Sequence, residues 1–153
     1  MPGRREHDAM GAIVGLLTGL ATMGEVPEDM RLLYVIGSTV GGVGGARLPD
    51  ILEPGVSSWH RRTCHSLTVG GFLGRAALVP PLAMQSYVRR VRSGAFDLRA
   101  RRKSLPSGDG SAASLWRAEA GRYFLLGAAA GAIPGYLSHL ALDAGTPRYL
   151  PII

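Results

Sequence analysis

At 153 residues the chain is long enough for one hydrophobic core and too short for several domains of ordinary size. Its 22 glycines and mean hydropathy of +0.15 set it apart from a typical water-soluble enzyme, and its single cysteine, Cys64, excludes an intramolecular disulfide. The net charge of +6 suits an anionic partner, either lipid headgroups or nucleic acid, with a solvated basic loop as the plain alternative.

In chain order, a polar and basic start (Arg4, Arg5) ends at His7 and Asp8, without the pattern of a cleaved signal peptide. Residues 9–24 are uncharged and mostly apolar, and at 16 residues fall short of the ~20 that cross a bilayer upright. An acidic turn around Pro27 leads to a second apolar run, 32–46, which loosens into Gly41-Gly42-Val43-Gly44-Gly45. Leu48-Pro49-Asp50-Ile51-Leu52-Glu53-Pro54 reads as a polar loop bounded by prolines, followed by Trp59-His60-Arg61-Arg62-Thr63-Cys64-His65-Ser66. A third apolar run, 67–88, is interrupted by Arg75 and by Pro80-Pro81, which should break or kink a helix. Residues 89–103 hold seven basic side chains and one acidic one, and about 89–114 reads as a flexible basic loop. The last apolar run, 123–142, has 20 residues without formal charge and alone meets the length for a membrane span. Its small residues (Gly127, Ala128, Ala129, Ala130, Gly131) and Pro134 describe a helix made for close packing. With little strand-like alternation, the chain is expected to be a single all-α domain, a small bundle of about four to six helices, membrane-associated or integral.

The chemistry concentrates in Gly135-Tyr136-Leu137-Ser138-His139-Leu140-Ala141-Leu142-Asp143. His139 and Asp143 are four apart, which stacks an imidazole and a carboxylate on one helix face in an otherwise apolar segment. Gly145 and Pro147 should end that helix. The pair is either half of a metal site or a hydrogen-bonded closure of the core. The other histidines, His7, His60 and His65, lie at the edges of apolar runs, and Asp50 and Glu53 are two carboxylates at i and i+3. Together these four imidazoles and three carboxylates exceed the three protein ligands of a mononuclear catalytic zinc. Without cysteine pairs a closed structural zinc site is disfavoured, and nitrogen and oxygen donors suit Zn, Mn or Fe. Cys64 reads as a small core residue rather than a nucleophile. Ser66 and Ser138 read as hydrogen-bonding neighbours of the histidines.

The motifs Leu48-Pro49-Asp50, His60-Arg61-Arg62-Thr63-Cys64-His65-Ser66 and Gly135-Tyr136-Leu137-Ser138-His139 through Asp143, then Thr146-Pro147, resemble the YdjM-type family, and His7 matches an N-terminal histidine of its members. That family is described as inner-membrane metal-dependent hydrolases, some of them as LexA-binding. The resemblance runs from His7 to Pro151. It departs in the second motif, where the family's Pro-Asp-x-Asp-His is here Pro49-Asp50-Ile51-Leu52-Glu53.

The expectation is therefore a hydrolase of the inner (cytoplasmic) membrane acting on a phosphoester such as a phospholipid. A divalent ion, Zn first and Mn or Fe next, would be held by His7, Asp50, His60, His65, His139 and Asp143. Asp50 or Glu53 would serve as general base, and Arg61 or Arg62 would neutralise a phosphate oxygen. The rival expectation is a non-enzymatic membrane protein with a structural metal site and a basic loop that recruits a protein partner. A nucleic-acid binder is disfavoured, because only Phe96 interleaves the basic stretch.

Overall fold

The computed structural model describes residues 3–52, 82–106 and 110–144, all built from helices and their connections. Four α-helices follow one another: α1 Arg4–Thr22, α2 Glu28–Leu52, α3 Leu82–Ser104 and α4 Gly110–Ala144. A 3-10 turn, Met23–Glu25, joins the first two. The fold is all-α, with no strand among the described residues, and the four helices among those residues stand at the lower end of the expected number.

Small residues hold α1, α2 and α4 together. On α1 the buried side is His7, Gly11, Gly15 and Gly19, one residue every four. A Cβ on Gly11 would lie 2.6 Å from the Gly42 carbonyl oxygen, and one on Gly19 would lie 3.1 Å from the Val35 Cα. Gly37, Gly41 and Gly45 on α2 rest in the same way on the carbonyls of Phe124, Ala128 and Ala132. Gly127, Gly131 and Gly135 on α4 return the contact to the carbonyls of Tyr34, Ser38 and Gly42. Backbones can approach this closely only where no side chain intervenes. Across the α1–α2 seam the buried Ser38 hydroxyl donates to the Gly15 carbonyl at 2.7 Å.

Many large apolar side chains of α1 and α2 point the other way. Ile13, Leu16, Leu17 and Leu20 on α1 and Leu32, Ile36 and Val40 on α2 are exposed, Leu17 by 59%. A water-soluble bundle has the opposite arrangement, with leucine inside and small or polar residues outside. The segment Gly110–Asp143 of α4 is long and apolar enough to cross a membrane, and is the one such helix among the described residues.

Two expected loops are helical. Pro49 lies inside the last turn of α2, fully buried, so Asp50 sits on a helix rather than in a proline-bounded loop. Proline removes one backbone donor near the helix end, and packing of the surrounding turn against α4 outweighs that loss. The basic stretch expected to be a flexible loop is helix α3 as far as Ser104, and Gly110 already opens α4. Arginine, alanine and leucine favour helix, and one face of α3 is tied down by acidic partners that the local sequence does not reveal. Arg99 and Arg102 each reach both Asp29 and Glu119, at 2.8 to 3.1 Å, and Arg92 pairs with Glu25. Glu119 is completely buried beneath this cluster. Beside it, Val26, Met30, Tyr34, Ala95, Ala120 and Tyr123 form the apolar core at that end of the bundle. The uncharged run 123–142 proves to be the second half of the 35-residue helix α4, which continues through Pro134.

Candidate metal centre

At the opposite end of the bundle the glycine rows run out into ligand-type residues. The row Gly19, Gly15, Gly11 on α1 continues to His7. On α2 the row Ser38, Gly42, Ala46 continues to Asp50. On α4 the row Gly127, Gly131, Gly135 continues to His139 and Asp143. Residues four apart share a helix face, so three helices in backbone contact carry these side chains to one place.

His7 and His139 stack with ring centroids 3.9 Å apart and 22° between their planes. The Asp143 carboxylate spans both: Oδ1 lies 3.5 Å from Nε2 of His7, and Oδ2 lies 3.4 Å from Nε2 of His139. Asp50 approaches from the rim, its Oδ1 3.9 Å from Nε2 of His139. The histidine side chains are 7% and 1% exposed and Asp143 is 12% exposed, whereas Asp50 is 49% exposed. The centre is therefore closed on three sides, with a carboxylate at its mouth.

One donor atom each from His7, His139 and Asp143 falls within 4.8 Å of the other two. The individual separations of 3.4 and 3.5 Å exceed the 2.7–3.2 Å of a good N–H···O bond. Two donors bound tetrahedrally at about 2.0–2.1 Å from one ion stand about 3.3–3.4 Å apart, which is the separation seen here. Two imidazoles and a carboxylate are also a donor set that divalent transition metals accept. Residues and spacing both fit a single ion.

A clamp next to the centre fixes its geometry. Arg47, one turn before Asp50, donates from Nε and Nη2 to the two oxygens of Asp8 at 2.5 and 2.6 Å. This bidentate pair joins the start of α1 to the end of α2 and sets the rotation of His7 toward α4. The Arg47 hydrogen bond holds the Asp8 carboxyl below the usual carboxylate range, and burial offsets only part of that effect. In the same way Asp8 raises Arg47 above its ordinary value. Ser138, beside His139, donates to the carbonyl of Gly135 at 2.7 Å within its own helix.

Of the expected site residues, the structure brings together His7, His139 and Asp143, with Asp50 at the edge. Glu53, His60, Arg61, Arg62 and His65 lie outside the described residues, as do Cys64 and Ser66. Sequence reasoning missed the Asp8–Arg47 clamp and the buried Glu119 cluster. The clamp had a signal in the sequence, since Asp8 adjoins His7 and Arg47 precedes Asp50 by three positions. No family model, curated protein or solved structure matches the chain.

Proposed function

We propose that the chain is a membrane-embedded, metal-dependent hydrolase of the inner (cytoplasmic) membrane. The observation that carries this reading is the convergence of His7, His139 and Asp143, from opposite ends of the sequence, on one buried point at metal-ligand spacing. A divalent ion held there, Zn before Mn or Fe, would supply Lewis acidity and acidify water. Asp50, exposed at the mouth and 3.9 Å from the inner histidine, would take a proton from that water and meet the substrate first. The membrane part of the proposal is supported by the apolar length of α4 and by the leucines that face outward from α1 and α2. A phosphoester, such as a phospholipid, fits a metal-dependent site in that setting. The reading agrees with the resemblance of the motifs to YdjM-type chains.

A second reading, a structural metal site in a non-enzymatic membrane protein that recruits a protein partner, is favoured by the burial of both histidines. The two readings share the ion and differ in turnover. Untagged protein should carry close to one equivalent of metal by elemental analysis, and His139→Ala or Asp143→Asn should remove most of it. Unchanged metal in both variants overturns the centre. Loaded wild type should then hydrolyse members of a panel of phosphomonoesters, phosphodiesters, short-chain phospholipids, esters and amides, with Asp50→Ala slowed but still metal-bound. A metal-loaded protein inert on the whole panel leaves the structural reading as the better account.

A further inference from the structure

Charge-free segments of three helices lie side by side: 9–24 on α1, 32–46 on α2 and 123–142 on α4. They correspond to about 24, 22 and 30 Å of helix. Charged residues close this belt at both ends, but unequally. Ten of the thirteen described lysines and arginines, Arg31 and those between positions 89 and 122, gather at the α3 end; only Arg4, Arg5 and Arg47 lie at the metal-centre end.

Helix α3 is split lengthwise. Ala95, Arg99 and Arg102 face the bundle, where the arginines meet Asp29 and Glu119. The other side exposes Arg89, Arg90, Arg101 and Lys103, none of which makes an ion pair among the described residues. Phe96 stands out among them, 48% exposed, with Arg89 and Lys103 each two turns away along the same face. Cations around an outward aromatic ring are what an interfacial helix presents to a leaflet of anionic lipid. Single-stranded nucleic acid would call for several stacking rings, and the basic stretch 89–103 offers Phe96 alone.

We propose that α3 is an interfacial helix docked on anionic lipid headgroups of the cytoplasmic leaflet, which places the His7–His139–Asp143 centre on the opposite side of the membrane. The inference rests on the reading that the bundle is embedded in a bilayer. It also deepens that reading, since lysine and arginine asymmetry across a span sets orientation, and a centre on the far face takes its substrate from outside the cytoplasm.

Two reporter cysteines test the orientation in a Cys64→Ala background: Gly3→Cys at the metal-centre end and Ser104→Cys at the end of α3, both exposed positions. In intact bacterial cells with a permeable outer membrane, a membrane-impermeant maleimide should label Gly3→Cys. Ser104→Cys should be labelled only after the inner membrane is opened. The reverse pattern, or equal labelling of both, overturns the proposal. Sedimentation of the protein in alkaline carbonate is measured on the same cells, and protein left in the supernatant there would instead sink the membrane reading itself. The lipid is tested on wild type in nanodiscs of phosphatidylcholine with and without phosphatidylglycerol. The anionic lipid should raise the unfolding midpoint by several degrees. Combined Arg89→Gln, Arg90→Gln, Arg101→Gln and Lys103→Gln should abolish most of that rise while leaving the midpoint in pure phosphatidylcholine unchanged. A rise that survives in the variant overturns the docking surface.

Discussion

Replacing Gly131 by alanine adds one methyl group where the structure has no room for it. The new Cβ would run into the Ser38 carbonyl oxygen, 2.8 Å from its carbon and 3.0 Å from the Gly42 nitrogen. All three obstacles are backbone atoms of α2, so no rotamer change relieves them. Carbon atoms in contact prefer separations of about 3.5–4.0 Å, so α4 must move away from α2 by an appreciable fraction of an ångström. That shift loosens the contacts of Gly127 and Gly135 in the same row. Overpacking of this kind costs about 1–3 kcal/mol, and the rigid obstacles place Gly131→Ala toward the top of that range.

The same helix supplies the control. Gly121 has nothing within 4 Å of its missing Cβ, so Gly121→Ala should bring only the helix-propensity gain of up to about 1 kcal/mol. Helicity at 222 nm, followed through thermal unfolding in one detergent, should show Gly131→Ala melting about 5–10 °C below wild type. Gly121→Ala should melt at or slightly above it. A Gly131→Ala protein as stable as wild type would refute the close backbone approach, and with it the packing that brings His7, His139 and Asp143 together.

Glu119→Gln should destabilise the protein by about 3 kcal/mol, because it removes the buried anion shared by Arg99 and Arg102; a midpoint equal to wild type would mean that the carboxylate's charge is not what anchors α3. Burial works to raise Asp29, but the hydrogen bond from Arg99, its charge and the Arg102 contact prevail and hold the carboxyl below the usual range. A carboxylate depressed on folding contributes stability above its unfolded pKa of about 3.9 and loses it as pH falls through the lower folded value. The unfolding midpoint should therefore drop below about pH 4, and Asp29→Asn should flatten that drop; an unchanged slope in the variant would remove Asp29 from the acid response.

The helices over 9–24, 32–46 and 123–142 were legible from their apolar runs and charged borders, whereas most of the run 67–88, with Pro80-Pro81, lies outside the described residues. The stacking of His139 on Asp143 followed directly from a spacing of four. What escaped was the state of charged and proline-bearing stretches. Residues 89–103 look solvated because their partners, Asp29 and Glu119, are far away in sequence. A guanidinium that is half-buried in a salt-bridge cluster has the same local sequence as one in water. Asp50 looked like a loop residue because Pro49 precedes it, although a proline in the last turn of a helix forfeits only one hydrogen bond.

The glycines carried more information than composition alone extracts from them. Counted as a total they indicate close packing; read at every fourth position they also point to the candidate site. His7-Gly11-Gly15-Gly19, Ser38-Gly42-Ala46-Asp50 and Gly127-Gly131-Gly135-His139-Asp143 are one arrangement written three times, small residues ending in donors. The reason is geometric. An imidazole or carboxylate extends only a few ångströms from its backbone, so donors on three different helices converge only if the helix axes are unusually close. Glycine rows provide that closeness, and the end turns where the rows stop (the first of α1, the last of α2 and α4) leave room for larger side chains to meet. The rows and the donors are thus a single structural device, and a methyl group added in the middle of a row should be felt at the centre several turns away.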